Sequence, residues 1–166
     1  QDKLFQFAMT ASAIDAFIQA AAVSCETRDG VAVPNETITN VGKYTFASQY
    51  HDLVKNLLDI SGAIVATAPT EADYRHEDLH EAFEKYLGSG GEEANGEDHV
   101  RLWHLIGDLA ADAKAGHKAV LALHAEGSLA AQKMMTMRNY DFDAAKQYVR
   151  ELAGISAPAG KYKPLP

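Results

Sequence analysis

The most informative stretch of this chain is Ser61-Gly62-Ala63-Ile64-Val65-Ala66-Thr67-Ala68-Pro69-Thr70-Glu71-Ala72-Asp73. A helical pattern reaches Gly62, a run of small apolar residues follows, and Pro69 prevents the helix from continuing. Side chains this small let another backbone or a flat ligand approach closely. We therefore expect a contact surface in residues 61–73 rather than ordinary core.

Helical periodicity extends outward from this stretch in both directions. Apolar residues recur at spacings of three and four, and no strand pattern competes with them. The predicted fold class is therefore all-α, a helical bundle over residues 1–155, with residues 156–166 as an extended tail. The predicted helices cover about residues 2–28, 35–63, 76–87, 97–123, 129–137 and 141–152.

Length and charge limit the classes of protein. The chain has 166 residues and a formal net charge of -8, which suits one acidic domain and argues against nucleic-acid binding. Charged residues or His interrupt every apolar run, so we expect no membrane span, no signal peptide and a cytoplasmic location. Because the chain does not begin with Met, we expect a fragment or a processed subunit.

The sulfur-containing residues are expected to be structural. Cys25 is the single cysteine, which excludes an internal disulfide, and we expect it on an apolar helix face. Met134, Met135 and Met137 are expected in the core.

Metal chemistry has one candidate motif. Glu77 and His80 form a Glu-x-x-His pair, the spacing that di-iron carboxylate bundles use twice together with two further glutamates. This chain has one such pair, so a solvated helix face is favoured, and no zinc site is expected.

A second stretch of interest is Leu123-His124-Ala125-Glu126-Gly127-Ser128-Leu129-Ala130-Ala131-Gln132. A helix breaks at Gly127, and the N–H groups of a new helix beginning near Ser128 are able to meet a phosphate, ribose or flavin oxygen. From the residues alone, both stretches are favoured as turns that connect helices.

Both stretches, and residues 134–155, resemble the C-terminal domain of the 4-hydroxyphenylacetate 3-hydroxylase family, which includes 4-hydroxybutyryl-CoA dehydratase/vinylacetyl-CoA isomerase. In the dehydratase branch the matching motifs read approximately Gly-Gly-Leu-Met-Val-Thr-Met-Pro-Ser-Glu-Ala-Asp and His-Gly-Ala-Gly-Ser-Pro-Gln-Ala-Gln. The ending Ala153-Gly154-Ile155 is also similar. The resemblance implies the helical bundle of the acyl-CoA dehydrogenase C-terminal domain.

The resemblance also implies a cofactor and a site. It implies FAD, held partly across a subunit boundary in a dimer or tetramer of this chain. The residues that would contact FAD are Ser61, Gly62, Ala63, Thr67, His124, Ala125, Glu126 and Gly127.

Further partners and the reaction also follow from the resemblance. It implies a missing N-terminal portion or large subunit that holds the catalytic residues, and for the hydroxylase branch a separate flavin reductase. The dehydratase has a glutamate shortly before its His-Gly-Ala-Gly-Ser motif, whereas residues 117–123 here contain no acid. This departure argues against dehydratase chemistry. A helical interaction module without cofactor is the alternative.

Overall fold

The computed structural model describes residues 1–62, 64–88, 94–124 and 127–156. Over these residues the chain is a bundle of helices with one small β-hairpin, so the predicted all-α class is confirmed. The elements are α1 Asp2–Val23, β1 Glu26–Arg28, β2 Val31–Val33, α2 Glu36–Ile60, a 3-10 turn Ile64–Ala66, α3 Glu71–Tyr74, α4 Glu77–Leu87, α5 Gly96–Ala110, α6 Ala113–His124, α7 Leu129–Asn139 and α8 Phe142–Leu152.

The central element of the bundle is α2, which contacts α1, α5, α6 and α7. The Asn35 side chain caps its start by accepting from the Ile38 N–H at 3.0 Å. Its close approach to α1 depends on Gly42, where an added Cβ would lie 2.9 Å from the Cβ of Phe17.

Polar pairs align α1 with α2. Thr10 is buried and donates to Oε1 of Gln49 at 2.7 Å. Two further pairs lie along the same interface: Gln6 accepts from Asn56, and Lys3 pairs with Asp59. From one pair to the next the residue number falls in α1 and rises in α2, so the two helices are antiparallel.

Two predicted helix boundaries were wrong. The first helix ends at Val23 rather than Arg28, because residues 26–33 form an antiparallel hairpin with Arg28 opposite Val31. The fourth predicted helix divides into α5 and α6, because the Asp112 carboxylate accepts from the N–H groups of Lys114 and Ala115 and begins a new helix.

The structure also corrects the expectations for sulfur residues and for α1. Cys25 is exposed beyond the end of α1, and Met134 and Met137 are 67% and 60% exposed. By length and composition alone, α1 is long and apolar enough to cross a membrane, contrary to the expectation that no segment approaches that length.

Much apolar surface is left open to solvent. The buried apolar residues of the described chain are Ala21, Ala47, Tyr74, Val100, Ile106 and Ala115. In contrast, α1 exposes large side chains along much of its length: Leu4 is 64% exposed, Phe5 62%, Met9 53%, Ile18 62% and Val23 87%. Soluble monomers rarely leave a surface of this kind uncovered, and such surfaces mark interaction sites.

Candidate functional site

The first candidate stretch begins where α2 ends. Ser61 caps the helix: its N–H donates to the Leu57 carbonyl at 3.1 Å and its Oγ to the Leu58 carbonyl at 2.7 Å. Gly62 then turns the chain with a φ of +67°, in the left-handed region that favours glycine. A Cβ at Gly62 would meet nothing within 4 Å, so the backbone is open on that side.

The apolar run forms the 3-10 turn, and α5 contacts it. A Cβ at Gly107 of α5 would lie 3.3 Å from Cγ1 of Val65, so a larger residue there would require the Val65 side chain to shift by a few tenths of an ångström. Thr67 is exposed, and its N–H donates to the Ile64 carbonyl at 2.9 Å. The turn is therefore packed on α5 through Val65 while it exposes the Thr67 hydroxyl. Ala63 lies outside the described residues.

The stretch ends in a capped short helix. Thr70 and Asp73 form a capping box: the Asp73 N–H donates to Thr70 Oγ1 at 3.2 Å, and the Asp73 carboxylate accepts from the Thr70 N–H at 3.0 Å. The Thr70 hydroxyl, 2.7 Å from that carboxylate, and the Thr70 N–H together lower the pKa of Asp73. Pro69 contributes its carbonyl, which accepts from Nε2 of His104 at 2.9 Å.

A charged cleft of about 340 Å³ opens beside this segment, between α3 and α5. Glu97 links two guanidinium groups, at 2.7 Å from Arg101 and 3.6 Å from Arg75. Glu71 holds Nε of Arg75 at 2.9 Å, and this hydrogen bond raises the pKa of the guanidinium. Arg75, Arg101 and Glu71 are well exposed to solvent in these pairs, so the pairs contribute little to the stability of the fold. The cleft is lined by Glu71, Tyr74, Arg75, Glu97, Val100, Arg101 and His104.

The second candidate stretch is the junction between α6 and α7. His124 is the last residue of α6 and is exposed, and its carbonyl accepts from the Gly127 N–H at 3.2 Å. Gly127 has a φ of +95°, and Ser128 caps α7 by accepting from the Ala131 N–H at 3.2 Å. Ala125 and Glu126, which the resemblance also assigns to the site, lie outside the described residues.

Gln132 is the buried polar side chain at this junction. It is 3% exposed, and its Nε2 donates to the Gly127 carbonyl at 3.0 Å. Its Oε1 is buried and has no hydrogen-bond partner among the described residues. A buried acceptor without a hydrogen bond destabilises the fold by about 1–3 kcal/mol.

The two stretches are far apart within one chain. Lys133 lies 5.3 Å from the Tyr44 ring and Asn139 bonds Glu36 at 3.3 Å, so α7 runs antiparallel to α2 with its start near the middle of that helix. Leu129, the first residue of α7, lies four residues before Lys133 and therefore projects beside residue 48 of α2. Ser61 lies 13 residues beyond that point, which corresponds to about 20 Å at 1.5 Å per residue. The two stretches therefore do not form a single small pocket.

His80 of the candidate metal motif contacts Tyr74 in the structure. His80 packs edge-on against Tyr74 and its Nδ1 donates to the Tyr74 carbonyl at 3.2 Å. Over residues 1–62, 64–88, 94–124 and 127–156, no three His, Cys, Asp or Glu side chains are grouped so that they could hold a metal ion.

Comparison with known proteins identifies the fold. The bundle superposes on an oxygen-tolerant archaeal 4-hydroxybutyryl-CoA dehydratase from N. maritimus with a TM-score of 0.81 and 24% identity, over 98% of this chain and 32% of that one. It superposes equally on the oxygenase component (HpaB) of 4-hydroxyphenylacetate 3-monooxygenase complexed with FAD, with a TM-score of 0.80 and 19% identity, over 92% of this chain and 32% of that one.

A curated relative agrees with these structures. The 4-hydroxybutyryl-CoA dehydratase/vinylacetyl-CoA-Delta-isomerase of Clostridium aminobutyricum is 24% identical over 125 residues, which are 71% of this chain and 26% of the relative. The chain thus spans about a third of the matched structures and about a quarter of the curated relative.

The bundle therefore has the acyl-CoA dehydrogenase-like helical fold of the matching segments of these structures. The model of the 4-hydroxyphenylacetate 3-hydroxylase C-terminal family matches residues 1–154, and the chain belongs to that family.

Sequence reasoning missed the side chains that hold the two stretches in place. It did not single out His104, Arg75, Arg101 or the amide of Gln132. The pairing of His104 with Pro69 spans 35 positions, so no local pattern indicates it. Gln132 did carry a signal, because it closes the motif that resembles the dehydratase.

Proposed function

We propose that this chain is the FAD-contacting and oligomerisation domain, or subunit, of a flavin-dependent enzyme of the aromatic hydroxylase or hydroxyacyl-CoA dehydratase type. The observation that carries the proposal is the match to the family over residues 1–154, together with a structural neighbour that is complexed with FAD. FAD supplies the redox chemistry when it is bound, and this chain would hold and orient it.

The open backbone at both stretches fits a flat or extended cofactor. A Cβ added at Gly62 or at Gly127 would meet nothing within 4 Å, so a ligand is able to reach the main chain at both places. Ser61 and Thr67 direct their hydroxyl protons to backbone carbonyls, which leaves oxygen lone pairs to accept from ligand donors. His124 would line the second part of the site from the end of α6.

Assembly into a dimer or tetramer supports the same proposal. The large exposed side chains of α1 would be covered by other copies of the chain or by a further portion of the protein. Because the start of α7 and Ser61 are about 20 Å apart along α2, we propose that the two stretches contact different parts of an extended dinucleotide, or cofactors in neighbouring subunits.

The catalytic residues are proposed to lie outside this chain, in an N-terminal portion or a large subunit. Residues 117–123 hold no carboxylate, which favours a hydroxylase-like or still different relative over the dehydratase, and the hydroxylase branch would add a flavin reductase as partner. The location proposed for the enzyme is the cytoplasm, without contact to nucleic acid or membrane.

The test is purification of the protein in the form in which its cells make it, followed by absorbance spectroscopy and amide hydrogen exchange. Flavin absorbance with slow exchange at residues 61–62 and 64–67, reversed when FAD is removed, supports the proposal. A colourless oligomer whose exchange does not change with added FAD would instead establish the alternative, a helical interaction module.

A further inference from the structure

The Gln132 side chain is buried in the bundle and hydrogen-bonds to the second candidate stretch. Gln132 sits on the first turn of α7, and its backbone N–H donates to the Ser128 carbonyl at 3.0 Å. Its side chain folds back across the start of the helix to the Gly127 carbonyl, also at 3.0 Å. One residue therefore binds two consecutive carbonyls of the turn that begins α7.

The orientation of the amide group follows from simple chemistry. A carbonyl oxygen only accepts hydrogen bonds, so the nitrogen end of the amide must face Gly127. This leaves Oε1 buried without a partner among the described residues. The amide thus keeps its bond to the turn although its oxygen stays unpaired, and burial of the residue to 3% exposure leaves it little room to turn elsewhere.

The turn needs such support because of its backbone. Gly127 has a φ of +95°, and its N–H bond to the His124 carbonyl is 3.2 Å long. A glycine with open space around it has more conformations to lose than any other residue. Fixing its carbonyl also fixes the direction of the peptide that leads into Ser128 and the N–H groups of α7.

We propose that Gln132 is a positioning residue for the cofactor: its Nε2 holds the turn at Gly127 and Ser128 in the arrangement that receives FAD. This inference rests on the proposed function, since FAD is the ligand expected there. Gln132 acts through the turn and does not itself need to touch the cofactor.

Two substitutions test the role of Nε2. Gln132→Met has similar length and loses both polar ends, whereas Gln132→Glu keeps the shape and replaces the NH2 donor with a second, negatively charged oxygen. The matched control is Thr10→Val, which removes the hydrogen bond of another buried polar residue in the α1–α2 interface. All variants are made in the native protein, together with any further portion or subunit that accompanies this chain. FAD affinity is measured by titration of the apoprotein.

Both Gln132 variants should bind FAD at least tenfold more weakly and shift the absorbance or fluorescence of the bound flavin, with faster amide exchange at residues 127–131. Thr10→Val should leave the affinity and the flavin spectrum unchanged even where its melting temperature falls. Unchanged affinity and spectrum in Gln132→Met would overturn the positioning role while the proposed function stands. A wild-type protein that does not bind FAD would overturn the proposed function, and with it the ligand that this inference assigns.

Discussion

His104 holds the segment that follows α2: its Nε2 lies 2.9 Å from the carbonyl oxygen of Pro69. Since a carbonyl is only an acceptor, the imidazole must carry its proton on Nε2. The bond ties α5 to the proline-containing segment between the 3-10 turn and α3, and His104 also lines the charged cleft. Together with the packing of Val65 near Gly107, it sets where residues 64–69 lie.

Replacing His104 by Ala should loosen this segment without unfolding the bundle. The expected loss of stability is about 1 kcal/mol, as for one ordinary hydrogen bond, and amide exchange at Thr67 should become faster. His117→Ala, at an exposed position on α6, is the control. Equal exchange rates in the two variants would show that the bond to Pro69 does not position the segment.

Gly42 and Gly116 should respond oppositely to substitution by Ala. At Gly42 the new Cβ would lie 2.9 Å from Cβ of Phe17, whereas at Gly116 it meets nothing within 4 Å. Gly42→Ala should therefore destabilise the fold by about 1–3 kcal/mol through overpacking, while Gly116→Ala should stabilise α6 by up to about 1 kcal/mol. Urea unfolding of both variants measures this, and a stabilised Gly42→Ala would refute the close contact of α1 with α2.

The Thr70 cap should control the titration of Asp73. Hydrogen bonds from Thr70 lower the pKa of this carboxyl. Because the folded pKa is depressed, the contribution to stability is present above the unfolded value of about 3.9 and is lost as the pH falls through the folded pKa. Thr70→Ala should raise the pKa of Asp73, whereas Thr70→Ser, which keeps the hydroxyl, should leave this pKa low. NMR titration of the Asp73 side-chain carboxyl measures the pKa in both variants.

If the first stretch contacts FAD, substitution of Gly62 by Ala should weaken FAD binding more than the same substitution at Gly154. The two glycines have nearly the same φ, +67° and +66°, and a Cβ at either meets nothing within 4 Å. Ala at either position therefore introduces the same backbone strain, but only Gly62→Ala places a methyl group on the proposed contact surface. We expect weaker FAD binding in Gly62→Ala alone, measured by titration; equal losses would assign the effect to strain.

Local signals predicted much of the bundle. Asn and Asp are residue types that favour helix N-caps, and in the structure Asn35 caps α2 and Asp141 caps α8. The hairpin was missed although it carries a recognisable turn: Asp29 and Gly30 both have positive φ, as a two-residue hairpin loop requires. Its strands have three residues each and no buried side, so no alternating pattern marks them.

The candidate site was predictable only in part. The glycines at positions 62 and 127 are visible in the sequence as breaks in helical patterns, and the structure gives both a positive φ. The cleft depends on Arg75 meeting Glu97, which lies 22 positions further along the chain, beside Arg101, and no local pattern indicates this contact. Exposure of Met134 and of α1 depends equally on tertiary contacts, because apolar periodicity shows which side chains share a face but not what covers it.

Amide hydrogen exchange of the purified protein with and without FAD determines whether this domain contacts the flavin. We predict that adding FAD slows exchange at residues 61–62 and 64–67 and at the start of α7, while the hairpin at residues 26–33 is unaffected. Unchanged exchange at all of these amides, in a preparation saturated with FAD, would contradict the assignment of this domain to flavin contact.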